Sequence, residues 1–199
     1  MPEYIRTKRK CQFAEPNPIW CPPLKDNLGK YKTPAGFYEW HTSIWEYQVD
    51  PANFGPDIFH PGCLLTDSFA TMCGPIHSSL YFQLLFGFFP HLSGKHITYA
   101  ANDNEIHITW AFVTTKGRKE ILVPANDVFG MKDGLINYRL ATFDVPTVIG
   151  ALLIAYGGTD PLFEGNLAET MWRWHVDEDF AREQLAEVQV RRATGTQET

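Results

Sequence analysis

Cysteine is scarce in this 199-residue sequence, with Cys11, Cys21, Cys63 and Cys73 its only four. That density and spacing do not make a disulfide scaffold, so reduced thiols are expected. Basic charge is also short, with 17 Lys and Arg against 23 Asp and Glu and a formal net charge of -6. Non-specific nucleic-acid binding works by neutralising phosphates, so nucleic acid is not an expected partner. The one basic run, Arg6-Thr7-Lys8-Arg9-Lys10, reads as a solvated tail. No long hydrophobic run is present, since the stretch from Leu80 to Pro90 is broken by Gln83 and Gly87 and is too short for a bilayer. The segment after the basic run, Cys11-Gln12-Phe13-Ala14-Glu15-Pro16, lacks the apolar core of a secretory signal, so a cytoplasmic protein without a membrane partner is expected. Phosphate-binding glycine loops, a dinucleotide fingerprint and a Gly-x-Ser-x-Gly elbow are missing too.

Aromatic residues, by contrast, are plentiful, with 6 Trp, 8 Tyr and 14 Phe. Residues 1–33 carry Pro16, Pro18, Pro22 and Pro23 around Trp20 without helical or strand periodicity, and read as an irregular proline-rich arm. Between Pro34 and Gln48, Phe37, Trp40, His41, Ile44 and Tyr47 or Gln48 fall on one side at helical spacing. A short extended segment follows between Asp57 and Asp67. A second helix starts near Gly74-Pro75, where proline suits the first turn, and runs through Ile76, Leu80, Leu84 and Phe88. Apolar residues surround it on nearly every side, which predicts burial.

After Pro90 the texture is that of strands: His96 to Tyr99, Glu105 to Thr115, Glu120 to Met131 and Leu135 to Phe143, separated by short turn-like segments. Separators this short predict antiparallel pairing. The last hairpin turns at Asp133-Gly134 and carries Asp127 within its first strand and Asp144 at the end of its second. A short helix over Val148 to Ala155, a break at Gly157-Gly158 and a terminal helix from Asp177 complete the chain. The expected organisation is the arm, a domain over 34–156 and a C-terminal extension over 157–199.

Helix, strand, buried helix and antiparallel meander is an order that resembles the nuclear transport factor 2-like cone fold. The elements Asp127-Val128-Phe129, Asp133-Gly134-Leu135-Ile136, Phe143-Asp144 and Gly150-Ala151-Leu152 resemble its SnoaL-like branch. The resemblance implies an α+β fold in which a curved antiparallel sheet packs on N-terminal helices around an apolar cavity, and it implies a homodimer. One fold hosts many chemistries, so activity has to be argued from residues.

Asp67 resembles the general-base aspartate of ketosteroid isomerases, and Asp127 the carboxylic acid that donates a hydrogen bond to their developing oxyanion. Each also has a plain structural reading, Asp67 as a turn or cap residue and Asp127 as a solvent-facing or ion-paired strand residue. The tyrosine those isomerases carry on the first helix is replaced here by Ser43, Ile44 or Trp45. Phe37-Tyr38-Glu39-Trp40 is similar to the opening of scytalone dehydratase, but its acid-base pair would fall at Ile44-Trp45. Asp144 resembles the acid-base residue of SnoaL-type cyclases, or caps the following helix. Arg139 can pair with Asp144 or bind an enolate. His41 and His107 are further proton carriers, unless they are a core and a surface histidine. Limonene epoxide hydrolases use an arginine-aspartate pair on a central strand, and Glu105 to Thr115 holds none.

Trp40, Trp45, Trp110, Phe129 and Tyr138 are the candidate walls of a pocket for a small hydrophobic ligand. His60, Cys63, Cys73 and His77 contain the atoms of a zinc site but not its tight knuckle spacing, so neither a metal nor another cofactor is expected. The expected activity is a cofactor-independent isomerase, cyclase or dehydratase acting on a small hydrophobic carbonyl compound, polyketide- or terpenoid-like, in natural-product biosynthesis. The alternative is a non-catalytic ligand-binding or assembly protein, with neutralised aspartates and an interior filled by Trp and Phe.

Overall fold

The computed structural model describes residues 22–47, 49–156 and 166–194. The helices and strands run α1 (Leu24–Asn27), α2 (Pro34–Trp45), β1 (Phe59–Thr66), β2 (Thr71–Cys73), α3 (Pro75–Phe88), β3 (Ser93–Ala101), β4 (Ile106–Lys116), β5 (Lys119–Lys132), β6 (Leu135–Phe143), α4 (Val145–Tyr156), α5 (Leu167–Val176) and α6 (Glu178–Thr194). The strands form one curved, open six-stranded sheet in the order β2-β1-β6-β5-β4-β3. The meander β3 to β6 is antiparallel throughout, as its short turns require. β1 joins it in parallel with β6, a pairing that the long connection through β2, α3 and β3 to β5 allows.

α2 begins where Thr33 accepts a hydrogen bond from Gly36 N–H at 3.0 Å and Pro34 occupies the first turn. It ends at Trp45, earlier than its apolar spacing predicts. Tyr47 has φ 61° and is exposed, while Gln48 lies outside the described residues. The described part of the arm is more regular than expected, with α1 followed by a 3-10 turn at Gly29–Tyr31. These turns clasp the tip of the β5–β6 hairpin. Asn27 Oδ1 accepts from Asp133 N–H at 3.1 Å and the Asn27 carbonyl from Gly134 N–H at 3.0 Å. A Cβ on Gly29 would stand 2.6 Å from Gly134 Cα, so only glycine permits this approach.

α3 is buried on most sides, as its apolar coverage predicts, although Ile76 is exposed. Trp45 is the hub of the core: its ring centroid lies 4.7 Å from Trp110, 5.0 Å from Phe86 and 5.7 Å from Phe54. Gly94 on β3 makes room for that stack, since a Cβ there would lie 3.1 Å from Trp45 Cβ and 3.2 Å from Trp110 Cε3. α5, which the sequence reading passes over, adds Leu167, Met171 and Trp174 to the same core, with Trp174 stacked on Phe88 at 5.1 Å. Cys63 is a buried free thiol, whereas Cys73 is disulfide-bonded, contrary to the expectation of four reduced cysteines. Among the described residues no helix is long and apolar enough to cross a membrane.

Candidate active site

Strand parity decides which carboxylates face inward. On β5 the alternation buries Val123, Ala125, Asp127 and Phe129 and leaves Pro124 and Asn126 exposed, so Asp127 points into the core. On β6 an irregularity between Gly130 and Met131 of the facing strand shifts the register. Beyond it Arg139 and Ala141 turn inward, and Tyr138 sits half-buried on the other face. Asp127 pairs with Ala141, and Thr66 at the end of β1 pairs with Leu140. Asp67, the next residue, therefore stands across β6 from Asp127, on backbones about 10 Å apart, with Arg139 on the strand between them.

Arg139 Nε donates to Asp127 Oδ2 at 2.9 Å, and the two side chains are 4% and 0% exposed. Arg139 pairs with Asp127 rather than Asp144, because its side chain turns inward while Asp144 lies on the surface. Burial lowers the Arg139 guanidinium, but Asp127 and Asp67 outweigh it and hold the group above its ordinary range as a firm cation. Burial raises the Asp127 carboxyl, and Arg139 offsets that only in part, so it lies above the usual carboxylate value. The Trp110 indole lies close enough to pull Asp127 downward slightly. Among the described residues, however, neither Trp110 Nε1 nor Asp127 Oδ1 finds a hydrogen-bond partner of good geometry.

Asp67 is a turn residue and something more. Its Oδ1 accepts from Phe69 N–H at 2.8 Å and Ala70 N–H at 3.4 Å, which closes the β1–β2 turn. Its Oδ2 lies 2.8 Å from His175 Nε2, with side-chain exposures of 1% and 0%. Burial works to raise this carboxyl, but His175, Arg139 and the Phe69 N–H overcome it and hold it below its ordinary value. The Tyr81 ring from α3 lies 4.2 Å from the His175 ring. Burial and the neighbouring Asp67 push the Tyr81 phenol far up, so it remains protonated.

The other candidates lie elsewhere. His41 is buried on α2 and shares a proton with His96, Nδ1 to Nε2 at 2.7 Å. Burial, His96 and Arg139 push His41 well down, and burial takes His96 to about 4, so both are neutral at pH 7. His107 is on the outer face, 3.4 Å from Glu105. Trp45, Trp110 and Phe129 are fully enclosed core, and Trp40 is half-buried against Tyr31 and Phe37. Asp144 Oδ2 accepts from the Thr147 hydroxyl at 2.8 Å and from its N–H at 3.4 Å, as an N-cap of α4. Asp144→Ala is therefore expected to lower stability by about 1 kcal/mol, read from urea unfolding.

His77 donates from Nε2 to the Trp174 carbonyl at 2.8 Å, and His60 Nδ1 accepts from Gly62 N–H. Among the described residues no group of three or more His, Cys, Asp or Glu is placed to hold a metal. His175 and Tyr81 are the site residues that the sequence reading misses. For His175 a signal existed, because Leu167, Met171, Trp174 and His175 follow one helical face.

No protein-family model matches the chain, and no curated protein matches it. Solved structures do. A limonene epoxide hydrolase-like epoxide hydrolase from Mycobacterium tuberculosis is 15% identical over 59% of this chain and 87% of its own, with a TM-score of 0.47. A SnoaL-like family protein from Agrobacterium tumefaciens is 13% identical over 55% and 96%, also at 0.47. A protein with a ketosteroid isomerase-like fold from Catenulispora acidiphila is 14% identical over 48% and 77%, at 0.43. These likenesses concern the course of the backbone and assign no chemistry. In fold, the chain is similar to the SnoaL-like and nuclear transport factor 2-like cone proteins.

Proposed function

We propose that the chain is a cofactor-independent enzyme that moves a proton next to a carbonyl group, in an isomerisation, cyclisation or dehydration of a small hydrophobic compound. One observation carries this reading. Two buried carboxylates flank a single arginine, and their surroundings push them apart, Asp67 below and Asp127 above the ordinary carboxylate value. Opposed carboxyl groups of this kind divide into base and acid. Asp67 would take the α-proton, and the electrons of that C–H bond would form the enolate. Asp127, on taking up a proton, would donate a hydrogen bond to that oxygen, and Arg139 would balance the charge of the enolate.

The intermediate would then take a proton at another carbon, expel a β-hydroxyl or attack a second carbonyl. The aromatic rings beside the centre, Tyr81 and Phe69 against His175 and Trp110 near Asp127, suit a polyketide- or terpenoid-like substrate of natural-product biosynthesis. His107 and Asp144 take no part. Because the acid-base side chains are enclosed, substrate access requires a covering element to move aside.

The test is proton exchange. In D₂O the full chain is expected to exchange one α-hydrogen of a member of a panel of β,γ-unsaturated and β-hydroxy ketones, followed by NMR. Asp67→Asn should lower that rate by about 10² to 10⁴. Exchange as fast in Asp67→Asn and Asp127→Asn as in the unaltered chain would overturn the proposal.

The alternative, a non-catalytic binding or assembly protein, draws support from two features: each aspartate already has a basic partner, and Trp45, Trp110 and Phe129 fill the interior. It predicts no exchange with any ketone of the panel.

A further inference from the structure

We infer that His175, brought in by α5 from the C-terminal part of the chain, is a positioning residue of the Asp67 centre: it holds a proton against Asp67 Oδ2 and so keeps that side chain a carboxylate in a fixed orientation. The cone alone, residues 34–156, then lacks a component of its own site.

Hydrogen-bond direction carries the argument. His175 Nδ1 lies 2.7 Å from the Met171 carbonyl, which can only accept, so Nδ1 carries a hydrogen. Nε2 lies 2.8 Å from Asp67 Oδ2, and two bare lone pairs would repel at that distance, so one proton sits between them. Asp67 already receives N–H bonds from Phe69 and Ala70 on its other oxygen, and Arg139 adds positive charge nearby. All three favour the negative carboxylate, which places the proton on the imidazole.

The ring is also fixed sterically, with Tyr81 at 4.2 Å and Phe69 at 5.5 Å, and it is fully buried. Other titratable groups bear on the pair. Tyr81 and His77 approach from α3, Arg139 from β6 and Asp127 from β5. His77 docks the same helix by donating to the Trp174 carbonyl at 2.8 Å, without touching Asp67. That separation gives the control.

The inference rests on Asp67 as the base, but its test does not require turnover. The titration of the Asp67 side-chain carboxyl is followed by carbon-detected NMR in the full chain. In His175→Gln, which keeps a donor and loses the charge, the midpoint is expected to rise by about 1 to 3 pH units. In His77→Gln it should stay where it is. An unmoved midpoint in His175→Gln, or an equal rise in both variants, overturns the inference and leaves His175 a packing residue. Should His175→Gln not fold, nitrogen NMR of the unaltered protein decides: each His175 ring nitrogen is expected to bear a hydrogen, Nδ1 toward the Met171 carbonyl and Nε2 toward Asp67 Oδ2, and a bare Nε2 overturns it. If ketone exchange is absent while these shifts are seen, the functional reading fails and the role of His175 stands.

Discussion

Replacing Asp127 by leucine is expected to destabilise the protein by about 3–5 kcal/mol, because Arg139 then remains buried without its direct partner. A guanidinium cannot shed its proton to escape that cost. Arg139→Leu should cost less, since the abandoned carboxyl of Asp127 is already pushed upward by burial and can become neutral. The order of the two single variants thus reports which partner can neutralise itself.

The double variant, leucine at both positions, removes the buried charges together. It should be more stable than the sum of the singles predicts, by about 1–3 kcal/mol. Urea unfolding of the four proteins at a common slope supplies the cycle. Strict additivity would mean that the 2.9 Å contact contributes nothing in solution.

Trp45→Ala is expected to cost a similar amount, about 3–5 kcal/mol, by a different mechanism. The indole packs between α2, the α3 phenylalanines and Trp110 of β4, with Gly94 beneath it. Those neighbours belong to α3 and to the paired strands β3 and β4, whose backbones are fixed by their own hydrogen bonds, so they cannot collapse together into the space. Domains of this size are stable by about 5–15 kcal/mol, so the loss should appear as a large drop in the urea midpoint. A cost of less than about 1 kcal/mol would show that the surrounding rings close over the gap. The Asp127 variants act through electrostatics and this one through packing, and only the former should respond to pH in the acid range.

Much of the fold was legible before any coordinates. Short polar separators between β-branched and aromatic runs leave the meander from β3 to β6 no pairing but the antiparallel one. Pro75 after Gly74 marked the start of α3, and the Asp133-Gly134 pair marked the hairpin turn, with φ of 53° and 78°. β2, α1 and the 3-10 turns were too short to show a period. α5 was missed because only one face of it is apolar and its ten residues hold few repeats. The end of α2 was overrun because Tyr47 continues the apolar spacing although the backbone has already turned.

The candidate site divides along the same line. The sequence by itself determined that Asp67 and Asp127 lie at a turn and on a strand of an aromatic-rich cone, because local chemistry and alternation are written in neighbouring residues. Whether Arg139 faces the same side as Asp127 depended on a register shift between Gly130 and Met131 of the facing strand. One residue of slippage turns every following side chain to the other face, and no local pattern records it. Only the tertiary structure decided that Arg139 stands between the two aspartates and that His175, 108 residues beyond Asp67, completes the pair. Burial and charge set the carboxyl groups apart, and both are properties of the surroundings rather than of the residues.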